Sequence, residues 1–382
     1  MTLIRGNRDI RVDFFRGLAL WWIFGDHIPG DMLSDWSLHN FAMCDAAEVF
    51  VLLAGFGAGL AYGGTMNRQG YVYAAADTLR RAWTLYVAHI FLFVVFAAQV
   101  AYSATALDRV SYLEESRLDV LGDAPYRALL EALLLRFQPS LLNILPLYVA
   151  LLVMFAAVLP LLRWPAVMLG LSFVVYAAVQ ATGVNFPSWT GEGWYFNPLA
   201  WQLLFMIGAI LAYAPPAMPR RRRVWDAGAL LVLVAGLLTI FVIDTHPRVM
   251  ALLPAQFVHL VIEEDKTGLH PFRLLSILSL AWLVVRIVPA QADWLRSRFA
   301  APLVLAGQNS LPVFCAGVFL GFMCRLGLEA NDGPAMQLAV NLFGGAAMLA
   351  VGALAAWYRG KARVQAERGS GALRVAVRTD TG

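Results

Sequence analysis

Lysine is almost missing from this 382-residue sequence, with two against 27 arginines, and charged residues of both signs make up only 14% of it. Three cysteines, Cys44, Cys315 and Cys324, are too few and too scattered for a disulfide framework or a thiolate metal site. The sequence also lacks H-E-x-x-H spacing, a Walker-type phosphate loop and a Ser-centred nucleophile elbow. No metal, no bound cofactor and no acyl-serine chemistry are therefore expected. So little charge argues against a soluble enzyme, since soluble chains average about 25% charged and about 45–50% apolar residues. A cleaved leader is not expected either. The first apolar run follows Arg5, Arg8 and Arg11 but holds Asp13 and Arg16 within it, and no small-residue cleavage site follows.

Apolar residues, by contrast, make up 60% of the chain, and the mean hydropathy is +0.65. They come in long blocks. A transmembrane helix needs roughly 20 mostly apolar residues. That criterion gives ten spans, near 12–28, 46–62, 82–104, 143–162, 165–182, 198–214, 225–243, 271–288, 303–323 and 336–357. The expected fold is all-α: one polytopic bundle over residues 1–358, followed by a basic tail, 359–382, whose last dozen small and polar residues are expected to be disordered.

Charge between the spans sets their direction, because short cytoplasmic loops carry the excess arginine. Arg5, Arg8 and Arg11 place the N-terminus inside. The loops then alternate: Asp31, Asp35 and Asp45 outside; Arg68, Arg80 and Arg81 inside; a net acidic segment, 106–141, outside; Arg163 inside; Glu192 outside; Arg220 to Arg223 inside. Glu263, Glu264 and Asp265 lie outside, Arg286, Arg296 and Arg298 inside, Glu329 and Asp332 outside, and the arginine-rich tail inside. Ten spans with both termini cytoplasmic satisfy this order. The basic excess thus reports topology and not nucleic-acid binding. Segment 106–141 contains YRALLEALLLRF, apolar at helical spacing, expected to lie on the outer membrane face.

Ionisable groups inside a membrane are costly and mark candidate functional residues. Arg16, Leu20, Ile23 and His27 fall on one stripe of the first span, with Arg16 toward the cytoplasm and His27 toward the outside. Glu48 shares a stripe with Leu52, Gly55 and Gly59, and a Gly-x-x-x-Gly pair is a close-packing signature of membrane helices. This puts Glu48 near the depth of His27. A carboxylate beside an imidazole raises its basicity, as a general base requires, and Asp45 and Asp26 are further partners. The structural alternatives are an Arg16–Asp13 pair, an interfacial His27 and a Glu48 satisfied by backbone donors. Arg80, Arg81, Gln308, Asn309 and Ser310 cluster near the cytoplasmic side, as phosphate-binding groups or as topology-setting charge and polar packing. At the outer end of the sixth span, Trp194, Asn197, Trp201 and Gln202, among further aromatics, form either an interface belt or a stacking surface for sugar rings.

The stretches DFFRGLALWWIFGDHIP (13–29), DAAEVFVLLAGFGAGLAYG (45–63), FNPLAWQLLFMIGA (196–209) and GQNSLPVFC (307–315) together resemble the OpgC family, within the membrane acyltransferases related to the acyltransferase-3 group. The resemblance runs from about Arg11 to Trp357. It implies a ten-span enzyme of the bacterial inner membrane. Such an enzyme transfers an acyl group, succinyl in OpgC, from cytoplasmic acyl-CoA to a periplasmic glucan. Arg16 and His27 match the group's Arg-x10-His motif, which implies that His27 is the catalytic base. Of the group's Arg-x-x-Arg pair only Arg81 is present, with Arg80 beside it and Thr84 in the second place.

The expected mechanism is direct transfer assisted by His27, Glu48 and Asp45. Acyl-CoA is held by Arg16, Arg80, Arg81, Gln308, Asn309 and Ser310, and the acceptor by Trp194, Asn197, Trp201 and Gln202. Arg248 or Arg273 would meet the second carboxylate of a dicarboxylic acyl group. Expected partners are the acyl-CoA donor, the glucan and membrane lipid, with a homo-oligomer left open. Two other classes stand beside this one: a transporter or flippase with an ion relay through Arg16, Glu48 and His89, and a non-catalytic partner of a glucan synthase.

Overall fold

A computed structural model describes residues 9–217, 222–245 and 266–379, with side chains through Phe241 in the second stretch and through Lys361 in the third. Expectations resting on Arg5, Arg8, Arg220, Arg221, Arg248, Glu263, Glu264 and Asp265 lie outside the described residues. Helices form at all ten stretches read as spans, and no strand occurs among the described residues. The helices are α1 (Ile10–Asp26), α2 (Ala46–Gln69), α3 (Tyr71–Ala106), three short ones α4 (Ser111–Glu115), α5 (Val120–Asp123) and α6 (Pro125–Leu133), α7 (Ile144–Val158), α8 (Pro165–Thr182), α9 (Pro198–Tyr213), α10 (Arg222–Thr245), α11 (Pro271–Ile287), α12 (Ala301–Gln308), α13 (Ser310–Ala330) and α14 (Pro334–Thr379).

Seven of these are long and apolar enough to cross a membrane: α2, α3, α7 with its 3-10 extension to Arg163, α8, α10, α13 and α14. The chain is therefore read as a multi-pass membrane protein. Helices α1, α9 and α11, with 17, 16 and 17 residues, fall short of that length. α3, with 36 residues, is about 54 Å long at about 1.5 Å per residue, well beyond an apolar layer of about 30 Å.

Local chemistry explains where the helices begin and break. Asp9 caps α1 by accepting from the Arg11 N–H at 3.0 Å. Asp45 and Glu48 form a reciprocal capping box at the start of α2. Gly70, at φ 95°, turns the chain directly from α2 into α3, in a conformation that L side chains rarely adopt. The ninth span is broken at Asn309 between α12 and α13. Pro312 has no N–H, so the Gln308 carbonyl loses its helical donor, and Arg359 of α14 supplies one through Nη1 at 2.9 Å.

Glycines set the closest helix crossings. A side chain at Gly17 would come within 1.9 Å of the Leu303 carbonyl oxygen, and one at Gly307 within 1.8 Å of that of Asp13, so α1 and α12 touch backbone to backbone. The predicted Gly55–Gly59 face packs on α9: Cβ atoms there would lie 2.0 Å from Phe205 O and 2.3 Å from Ala209 O. Because 55 meets 205 and 59 meets 209, α2 and α9 run in the same direction, as even-numbered spans should.

Segment 106–141 folds as α4, α5 and α6 over one end of the bundle. In α6, Ala128, Glu131 and Ala132 are buried, whereas Leu129, Leu130 and Leu133 are exposed. Tyr112 anchors the segment to α13: its hydroxyl bonds to Glu329, and Arg325 lies over its ring at 5.1 Å. The tail differs from the sequence reading, because α14 continues as helix to Thr379. Alanine and arginine, both good helix formers, fill this stretch and outweigh Gly369 and Gly371.

Candidate functional site

A cavity of about 730 Å³ opens at the end of the bundle where α1 finishes and α2 begins. Its walls come from the end of α1 (Ile23, Asp26, His27), the start of α2 (Asp45, Ala46, Ala47), the 114–144 stretch, the 188–196 loop, Lys266 and Phe314. His27 follows the last residue of α1, its backbone N–H bonded to the Ile23 carbonyl at 3.1 Å. The ring is half-buried, and its Nδ1 is buried with no hydrogen-bond partner. The α13 backbone at Gly321 lies close beside His27. A Cβ at Gly321 would sit 3.5 Å from that of His27.

The expected hydrogen-bonded unit of His27 and Glu48 is not formed. Glu48 is wholly buried, and both oxygens are engaged elsewhere: Oε2 accepts the Asp45 N–H at 2.9 Å and Oε1 accepts from Arg273 Nε at 2.6 Å. Capping α2 and pairing with α11 outcompete the imidazole. Asp45, not Glu48, is the cavity-wall carboxylate of this box. Lys266 Nζ lies 2.6 Å and Arg273 Nη2 3.2 Å from Asp45 Oδ2. Burial alone would raise the Asp45 carboxyl. Lys266 and Arg273 outweigh it and hold the group well below the usual carboxylate range. Arg273, considered for an acyl carboxylate, is 1% exposed and belongs to this cluster.

The aromatic reading divides. Trp194, Tyr195 and Phe196 line the cavity, and the Trp194 Nε1 is buried without an acceptor. Asn197, Trp201 and Gln202 do not face it and are corrected to scaffold residues. Asn197 caps α9 through Oδ1 to the Leu199 N–H at 3.0 Å and donates to the Val184 carbonyl at 2.7 Å. Trp201, with no exposed surface, donates to the Lys266 carbonyl at 2.9 Å, and Gln202 donates to the Ser172 carbonyl at 2.7 Å. Each is buried because its polar atoms are needed to close the backbone there.

Between the two ends of the bundle, Arg16 reaches from α1 to the Leu53 carbonyl of α2 at 3.0 Å. Arg80 is exposed on α3, and Arg81 is half-buried and close enough to Tyr62 for its charge to be felt there. Gln308 and Asn309 are corrected: Gln308 donates to Asp13 at 3.2 Å, and Asn309 donates to the Leu305 carbonyl and accepts from Arg359. The Gln308 amide N–H is thus tied to α1, and the Asn309 amide to α12 and α14. Ser310, half-buried, starts α13. No hydrogen bond among the described residues joins Arg80 or Arg81 to this break. Sequence reasoning overlooked Lys266, Arg136, Gln138 and Asn143 on the cavity wall. Of these only Lys266 carried a signal, as one of two lysines in an arginine-rich chain.

The family model described as OpgC protein matches residues 8–360, nearly the whole chain, and the chain belongs to that family. No curated protein and no solved structure matches it.

Proposed function

We propose that this member of the OpgC family is a transmembrane O-acyltransferase, moving a succinyl group from cytoplasmic acyl-CoA to a periplasmic glucan. In this reading the ten helical spans cross the bacterial inner membrane with both termini cytoplasmic, and the cavity faces the periplasm. The observation that carries it is the His27 ring, set in the wall of a cavity lined by aromatic and polar side chains, with a buried Nδ1 that no protein group occupies. Aromatic faces with dispersed polar groups suit a sugar acceptor.

His27 takes the proton of a sugar hydroxyl as its oxygen attacks the thioester carbonyl carbon. The carbon–sulfur bond then breaks, and the departing CoA sulfur receives the proton from the imidazolium. No acyl-enzyme is required. Arg80 and Arg81 hold the CoA phosphates at the cytoplasmic end, and Arg16 lines the path between. Lipid-embedded wild-type protein should release free CoA thiol from succinyl-CoA only when glucan is present. His27→Ala should lower the rate by about 10²–10⁴-fold without loss of the folded protein. Glucan-dependent turnover by folded His27→Ala at the wild-type rate would remove the base, and no release by wild type would remove the activity.

A further inference from the structure

Four consecutive carbonyls, 266 to 269, all accept hydrogen bonds from α8 and from the start of α9. Trp201 Nε1 donates to Lys266 O at 2.9 Å and the Asn197 N–H to Thr267 O at 3.0 Å. Gln180 Nε2 donates to Gly268 O at 2.6 Å and the Tyr176 hydroxyl to Leu269 O at 2.8 Å. Leu269 stands at φ 50°, a conformation that a leucine keeps only where its surroundings impose it. This turn is fixed far beyond what a connection between helices needs. What it presents is the Lys266 ammonium, paired with Asp45 and with 37% of its side chain exposed, on the cavity wall.

An ammonium has three N–H donors and Asp45 takes one, which leaves donors for a bound molecule. Asp45 also cancels the charge, so the cavity meets hydrogen-bond donors and no net cation. That favours neutral hydroxyl oxygens. Phe196, on the same wall, packs edge-to-face on Trp201 with ring centroids 4.8 Å apart. The aromatic surface and the ammonium therefore hang on one indole. Across the whole lining, five carboxylates (Asp26, Asp45, Glu114, Asp119 and Glu192) outnumber Arg117, Arg136 and Lys266. This balance disfavours an anionic sugar.

We propose that Lys266 is an acceptor-binding residue that donates to hydroxyls of a neutral hexose lying against Trp194, Tyr195 and Phe196, and that Trp201 is its positioning residue. The inference rests on the acyltransferase reading for its place in a reaction, while the binding it describes is measurable without one. A residue already bearing an acidic substituent is then a poor acceptor, which limits how heavily one chain is modified.

The test uses the full chain in nanodiscs, titrated calorimetrically with a neutral β-gluco-oligosaccharide in the absence of acyl donor, then assayed for transfer. Lys266→Met should weaken oligosaccharide binding and raise the acceptor KM about tenfold or more, with the acyl-CoA KM unchanged. Trp201→Phe, which keeps the packing and loses the bond to Lys266 O, should move the acceptor KM in the same direction by less. A glucuronic-acid-containing oligosaccharide should bind wild type more weakly than the neutral one. Lys266→Gln serves if the methionine variant does not fold. Unchanged sugar affinity in a folded Lys266 variant, an equal rise in both KM values, or no neutral-sugar binding by wild type would overturn the inference. Sugar binding that depends on Lys266 without any acyl transfer would instead overturn the proposed function and leave this site standing.

Discussion

Arg273 Nε donates to Glu48 Oε1 at 2.6 Å, joining α11 to the first turn of α2 between two side chains with 1% and 0% of their surface exposed. Removing one partner of a buried pair leaves the other buried with fewer partners, a loss of about 3–5 kcal/mol, whereas replacing both with apolar groups of similar volume is often neutral. Glu48→Ala and Arg273→Ala should each lower the thermal unfolding temperature in detergent and reduce the monodisperse fraction. Glu48→Met combined with Arg273→Leu should recover much of that loss. Single variants as stable as wild type would show that the pair does not hold α11 to α2.

Two nearby glycines of α2 should respond unequally to alanine. At Gly55 the new methyl would meet the Phe205 carbonyl oxygen at 2.0 Å, and backbone cannot step aside. At Gly57 the nearest atom is Arg16 Nη2 at 3.3 Å, the far end of a flexible side chain. Gly55→Ala should cost about 1–3 kcal/mol through overpacking, and Gly57→Ala much less. Unfolding curves of the two variants, side by side, check the contrast. Equal losses would mean that the α2–α9 crossing is looser than its geometry.

Helix at the ten apolar stretches was legible because hydropathy blocks are a one-dimensional signal, and the Gly55–Gly59 face was legible because backbone contact demands small residues at fixed spacing. Partner choice was not. Glu48 lies at the depth of His27 on a helical stripe, yet three residues from Asp45 it closes its own helix cap, and Arg273, 225 positions along the chain, takes its other oxygen. Trp201 and Gln202 looked like ligand-facing polar groups at a helix start, but stripe arithmetic does not say which face of α9 meets α8 and the 266–269 turn. Pro312 and Arg359 likewise needed the fold, since an orphaned carbonyl becomes visible only when its rescuer is in place.

His39 offers a pH readout of the loop between α1 and α2. Its Nδ1 pairs with the Ser37 hydroxyl at 2.5 Å and lies 3.5 Å from Asp26 Oδ1, and the nearby Asp26 carboxylate raises its pKa above the ordinary 6.5 against the opposing effect of burial. A raised folded value means that the stabilisation is fully present below 6.5 and is lost as pH rises through the folded value. With side chains 39% and 24% exposed, screening keeps the effect within about 1 kcal/mol. Wild type should therefore exceed His39→Gln in unfolding temperature at pH 6, and the gap should narrow toward pH 9. A gap that widens with pH would assign the stabilisation to another group.

The direction of the bundle decides on which side of the membrane His27 works. Arg68 is exposed at the end of α2 remote from the cavity, whereas Thr190 is exposed on the loop that walls the cavity. The arginine-rich ends should lie inside. Cysteines introduced at these two positions, in a chain cleared of Cys44, Cys315 and Cys324, should behave oppositely toward a membrane-impermeant maleimide. Thr190→Cys should label in intact cells once the outer membrane is permeable, and Arg68→Cys only after the inner membrane is opened. The reverse pattern would put the cavity in the cytoplasm, beside the acyl-CoA pool. Transfer to a periplasmic acceptor would then fail on geometry, even if His27 proved to be a base.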